Sequence, residues 1–310
     1  MILAIIPFAN MISSIKKSIK KLLIKQPKVK SKKELIETYN ALGSVPWSEG
    51  YLEYKWHLIE GSINNKDILK EFELEQLTNE YGIGVDERVI EYPWLMSHIH
   101  SGKGKFLDAG STFNFQEILR HPIMQEKDIY IYTYYPEENN YIKSRISYIY
   151  GDLRELPFKD NYFDQIVCHS TLEHIDMDNS MYGYELAPQQ DSHSQSYGYL
   201  KVIRELERVL KPGGRILLTF PYGKFENHGF FQQFDKEMVL RLENSISSTC
   251  SIKKSFAKYE ASGWRFATQA ESDDSVSCNP HTGKGKENDN AAHSRAICFI
   301  EILKNSQSQF

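Results

Sequence analysis

Apolar residues fall in two rhythms along this chain. From Lys105 onward, short apolar runs of strand length alternate with longer segments whose apolar positions recur every three or four residues. The runs predict strands at Lys105–Ala109, Ile129–Tyr134, Ile146–Tyr150, Phe163–His169 and Arg215–Phe220. Helices are predicted near Phe115–Arg120, over Tyr197–Leu210 and over Lys236–Ile246, while Ile252–Tyr259 and Ala296–Leu303 read as a closing antiparallel pair of strands. Strands alternating with helices imply right-handed crossovers and a mostly parallel sheet, here of seven strands, with helices on both faces. The apolar strand 163–169, with Phe163 and Ile166-Val167-Cys168, suits a buried parallel position. Ligands of such sheets bind beyond the carboxyl ends of the strands.

Upstream, residues 34–100 read as a helical lead-in or cap. Lys33–Leu42 and Asn65–Tyr81 have helical period, Gly82-Ile83-Gly84 stops the second, and Asp86–His100 reads as a helix interrupted near Pro93. Residues 101–310 then form the α/β domain. Residues 268–294 are polar and predict a long mobile hairpin loop.

Charge changes the picture at the amino end. Residues 1–33 hold nine lysines and no acid, leaving 28 basic against 41 acidic residues, a charge of −13, for the remainder. An acidic body argues against non-specific nucleic-acid binding. Within the basic end, Ile15, Ile19, Leu22 and Leu23 share one helical stripe flanked by Lys16, Lys17, Lys20, Lys21 and Lys25. The apolar part is too short to span a bilayer, and its charges follow rather than precede it, unlike a secretory signal. Two readings stay open: peripheral contact of residues 1–30 with an anionic membrane surface, at the inner face of the membrane, or a solvated helical extension. The four cysteines show no paired or metal-ligand spacing, which favours a reduced, cytoplasmic protein without a metal site.

The candidate chemistry lies at the strand ends. Asp108, Gly110 and Ser111 follow the first strand, Thr133 and Glu137 the second, Asp152 and Leu153 the third, His169 and Ser170 the fourth. The segment Gly151-Asp152-Leu153-Arg154-Glu155-Leu156-Pro157-Phe158 leads into Phe163-Asp164 and Leu172-Glu173-His174, and Leu210-Lys211-Pro212-Gly213-Gly214 follows. In order and spacing these pieces resemble the middle of a class I S-adenosylmethionine (SAM)-dependent methyltransferase, of the type 11-like kind, over about residues 104–220. The resemblance implies a Rossmann-like fold and SAM as cofactor. It assigns Asp108 to the SAM ammonium, Gly110 to close approach of the methionyl part, Asp152 to the adenine amino group and the Leu153 N–H to an adenine nitrogen. His169 and Ser170 would face the cofactor. The chain departs from the family where Thr112 and Asn114 replace the later loop glycines. It departs again where the second strand lacks its terminal acid, a role left to Glu137 or, more weakly, Thr133.

The acceptor side should come from the segment Asp176–Tyr199 and from Pro221–Phe231, both rich in aromatic and polar residues. Such mixtures suit a saccharide or a similar small molecule. Transfer to a hydroxyl needs a positioned base, for which His228, with Glu226 nearby, is the candidate; His174 is expected to hold the loop after the fourth strand. Asp86 to Trp94 and Ser170 to Asn179 also resemble bacterial methyltransferases associated with surface-glycan biosynthesis. The competing reading is a catalytically inactive methyltransferase-like binding or scaffold protein, favoured by the degenerate loop and the missing acid. A nicotinamide-dependent enzyme is disfavoured by the lack of a Gly-x-Gly-x-x-Gly loop.

Overall fold

Alternation of side chains across the strands builds two cores, one on each face of a single sheet. Phe106 and Val167 point into a layer with Ile59, Val89, Leu95 and Phe299. Their chain neighbours Leu107, Ile166 and Cys168 point the other way, against Ile203, Leu206, Met238 and Leu242. This computed structural model describes residues 30–77, 80–141, 145–180 and 194–306. The basic stripe of residues 15–23 and His193 lie outside the described residues.

The sheet has eight strands, not the expected seven. They are β1 (Gly104–Ala109), β2 (Lys127–Thr133), β3 (Ile146–Tyr150), β4 (Phe163–His169), β5 (Leu210–Pro221), β8 (Cys250–Glu260), β9 (Gly263–Ala267) and β10 (Ala296–Lys304). The spatial order is β3-β2-β1-β4-β5-β10-β8-β9. β1 to β5 run parallel, and β10, β8 and β9 are antiparallel to their neighbours. Strand order reverses between β1 and β4, where crossovers to opposite faces open a crevice. A two-stranded ribbon, β6 (Glu226–Asn227) with β7 (Gln232–Gln233), stands apart. The extra strand, β9, follows a two-residue turn at Ala261-Ser262 and pairs Glu260 with Gly263. Its five residues are few for a periodic signal, but Trp264 and Phe266 do alternate.

Helices Tyr199–Val209 and Lys236–Ser245 cover one face; Lys32–Ala41, Tyr51–Ile63, Lys66–Glu73 and Arg88–His98 belong to the other. The expected helix over 65–81 ends at Glu73, because Glu75 turns left-handed (φ 57°). Tyr51–Ile63 has no counterpart in the sequence reading; its aromatic residues mask the helical period. Arg88–His98 is not interrupted at Pro93. Proline removes the N–H that would reach the Val89 carbonyl, and the Tyr81 hydroxyl donates to that carbonyl instead, at 2.8 Å. Residues 268–294 are not a solvated hairpin. Arg295 donates to Asp289 and to the carbonyls of Val276 and Gly285, and Ser277, Asn279 and Ala292 are buried.

Candidate active site

Four loops meet at the carboxyl ends of β1 to β4. Asp108, at the end of β1, is buried and accepts from the backbone N–H groups of Phe113 (2.8 Å) and Thr112 (3.2 Å). Its carboxylate therefore rolls its own loop rather than facing outward. Desolvation, helped by the charge of Glu137, pushes its pKa up to about 7. Gly110 has φ 123°, and a Cβ there would run into the Thr171 hydroxyl. The glycine lets the loops after β1 and β4 touch. The Tyr92 hydroxyl, on Arg88–His98, pins the same loop by donating to the Thr112 carbonyl at 2.5 Å.

The loops enclose an open-mouthed cavity of about 230 Å³. Of the nine residues expected to contact a cofactor, Gly110, Thr133, Glu137, Leu153 and Ser170 line it. Asp108 and Ser111 lie behind the wall. Ser111 donates to Glu137 Oε2 at 2.7 Å, and Glu137 bends back from the turn after β2 toward the loop after β1.

Asp152 lies beside the cavity rather than in its lining, with its carboxylate already engaged. Oδ2 accepts from the Tyr134 hydroxyl (2.6 Å) and Arg154 Nη2 (2.6 Å), and Oδ1 from Arg154 Nε (3.0 Å). Burial raises its pKa, but the hydrogen bonds from Arg154 and Tyr134 outweigh that and hold it below the usual carboxylate value. Arg154 also pairs with Asp176, tying the loops after β3 and β4 together.

His169, expected to face the cofactor, is fully buried beneath the cavity. Its Nε2 lies 2.9 Å from Glu91 Oε2 and 2.7 Å from Arg88 Nη1, and burial lowers its pKa against the charge of Glu91. Glu91 is itself fully buried. It also accepts from Ser170 Oγ (2.5 Å) and Thr219 Oγ1 (2.7 Å), and its Oε2 lies 2.9 Å from Arg88 Nη1. Burial works against its charge, yet His169, Arg88 and these hydroxyls hold its pKa well below the usual carboxylate range. The cation this carboxylate supports, Arg88, is 28% exposed and lines the cavity. Sequence reasoning missed Arg88 and Glu91 as site residues. The signal was there: charged residues in a helix whose other positions are apolar.

His174 lines the cavity, and its Nδ1–H donates to the Phe230 carbonyl at 2.7 Å. That bond ties the turn after β4 to the loop after β5, and burial pushes the imidazole pKa down to about 4. His228 does not line the cavity. Its ring stacks on Phe231 with centroids 4.4 Å apart, and its Nε2 lies 3.3 Å from Glu226 Oε2 without hydrogen-bond geometry. Burial lowers its pKa, opposed by the Glu226 charge. Among the described residues, no group of three His, Cys, Asp or Glu is arranged to hold a metal ion.

Residues 127–185 match the methyltransferase domain family. The stretch runs from β2 past the turn after β4, so it contains Thr133, Glu137, Leu153 and Ser170. The cofactor this match indicates is SAM, and methyl transfer is the chemistry it supports for the domain. No curated protein matches the chain. Solved methyltransferase structures are among the matches. The 1,6-didemethyltoxoflavin-N1-methyltransferase of Burkholderia thailandensis, with 1,6-didemethyltoxoflavin and S-adenosylhomocysteine bound, is 12% identical over 66% of this chain and 72% of that one, with a TM-score of 0.39. A SAM-dependent methyltransferase of Thermotoga maritima is 12% identical over 81% of this chain and 100% of that one, also at 0.39.

Proposed function

We propose that this protein transfers a methyl group from SAM to a hydroxyl of a small-molecule or saccharide acceptor, of the kind met in bacterial surface-glycan biosynthesis. One observation carries the reading: Gly110, Thr133, Glu137, Leu153 and Ser170 converge on one cavity at the reversal of strand order, inside or next to the methyltransferase match. The residues fit the cofactor. Glu137 offers a carboxylate to the ribose, and Leu153 lines the adenine end. Gly110 keeps the methionyl end free of a side chain. Arg88 uses Nη1 toward Glu91 and His169; among the described residues nothing engages its Nε or Nη2, which suit a carboxylate. When bound, SAM supplies an electrophilic methyl group, and the protein's task is alignment and proton removal.

For the proton we propose His228, whose pKa burial lowers. Its side chain is fully buried against Phe231, outside the cavity wall, so this reading requires the Phe230–Phe231 corner to open and bring the attacked hydroxyl to the imidazole. Loss of a base in His228→Ala should lower turnover about 10²–10⁴-fold and leave cofactor affinity unchanged. Turnover of the parent should rise with pH through a window below the ordinary histidine value of about 6.5. Normal turnover in His228→Ala would remove His228 from the reaction.

A binding protein without catalysis is the second reading, favoured by the engagement of Asp152 with Arg154 and Tyr134. Labelled SAM incubated with sugar nucleotides and glycan fragments separates the two: methylated product supports the enzyme, binding without product the alternative. We also propose peripheral membrane contact through residues 1–30, resting on the sequence. No described helix is long and apolar enough to cross a membrane.

A further inference from the structure

Two oddities of this site meet at one atom. The loop after β1 carries Asn114 at a position where the family resemblance implies glycine, and the acid at the end of β2 is displaced along the chain to Glu137. Ser111 adopts φ 62°, a left-handed conformation that disfavours any residue with a Cβ. Its hydroxyl nevertheless donates to Glu137 Oε2 at 2.7 Å, and Asn114 Nδ2 donates to the same oxygen at 3.1 Å. Asn114 is locked in turn: Tyr148 donates to its Oδ1 (3.0 Å), and its Nδ2 also reaches the Asn139 carbonyl (3.1 Å).

We propose that Ser111 and Asn114 are positioning residues that hold Glu137 in the cavity as the ribose acceptor. The loop's departure from glycine and the displacement of the acid are then one coupled change. This inference rests on the reading of the cavity as a SAM site. Physically, Glu137 sits in an exposed turn, and a free glutamate there samples many rotamers whose loss opposes binding. Two donors on Oε2 fix the carboxylate before the ligand arrives. Oε1, which among the described residues meets the Thr133 hydroxyl at 3.5 Å, remains to accept from a ribose hydroxyl. A glycine at position 114 would have no side chain to reach Glu137.

Calorimetry with S-adenosylhomocysteine and with its 2′,3′-dideoxyribose analogue tests this on the full chain. The parent should prefer the hydroxylated ligand about 10-fold, as expected for hydrogen bonds to a charged group. Ser111→Gly should lose most of that preference while melting at or above the parental temperature, since glycine relieves the left-handed strain. A merely structural serine would not move affinity and stability in opposite directions. Asn114→Ala should lose the preference too, leaving affinity for the dideoxy analogue unchanged. Parental affinity and preference in both variants would overturn the inference while leaving the cofactor reading intact. A parent that does not bind S-adenosylhomocysteine would overturn both.

Discussion

Glu91 and Glu173 show how differently two buried carboxylates behave a few residues from the same cavity. Glu91 is charged and satisfied by Ser170, Thr219, His169 and Arg88. Removing its charge in Glu91→Gln leaves Arg88 without its counter-ion and should cost about 3–5 kcal/mol, read by denaturant unfolding. Because its folded pKa is depressed, the contribution is present above the unfolded carboxylate value and is lost as pH falls below about 4.5. Glu173 has the opposite sign. Burial pushes its pKa up to about 8, and its Oε2 makes no hydrogen bond. The folded protein thus binds a proton that the unfolded chain releases between about pH 4.5 and 8, so this group erodes stability as pH rises through that window. Glu173→Gln should accordingly be more stable than the parent at pH 8, by on the order of 2–4 kcal/mol, with the gap closing toward pH 5. A gap independent of pH would show that Glu173 is not the titrating group. Neither role was legible in the sequence, where Glu173 belongs to a motif and Glu91 to a helix face; burial and partners come only with the fold.

At the scale of elements, seven strands were readable, though β5 begins five residues before its predicted start and β9 was not anticipated. β3 and β4 have the bounds that their apolar runs predict, β4 as a buried interior strand and β3 as a half-exposed strand at the sheet edge. The helices were less so. Pro93 reads as a break, and only a partner distant in the chain, the Tyr81 hydroxyl, turns it into an interior residue. Tyr81→Phe should leave the Val89 carbonyl without that donor and cost about 1–3 kcal/mol. Hydrogen exchange should locate the loss in Arg88–His98. Since Tyr92 of this helix pins the Thr112 carbonyl, the same variant should weaken cofactor binding although residue 81 does not line the cavity. Unchanged exchange in this helix would mean that the Val89 carbonyl finds another donor. The polar stretch 268–294 misled for a related reason: its composition is that of a loop, but Arg295 converts its carbonyls and Asp289 into an ordered layer.

For the whole molecule, sheet order places the site and the amino end supplies the charge asymmetry. The alternating pattern made the parallel sheet and its ligand-binding edge legible; it did not show which of the strand-end residues turn inward. Asp108, Ser111 and His169 look like cofactor ligands in the sequence and instead shape the wall behind those that line the cavity. Removal of residues 1–30 should leave a folded protein that binds SAM but no longer sediments with anionic vesicles. The full chain should release from them as salt rises, since screening acts over about 8 Å at physiological ionic strength. Equal sedimentation of both proteins would contradict the membrane proposal. The central claim, a SAM site at the reversal of strand order, is tested most directly by calorimetric titration of the parent and Glu137→Ala, which removes a carboxylate lining the cavity, with S-adenosylhomocysteine. The account predicts one-to-one binding by the parent and an affinity at least about 10-fold lower in the folded variant. No binding by the parent, or equal affinity in both, would contradict it.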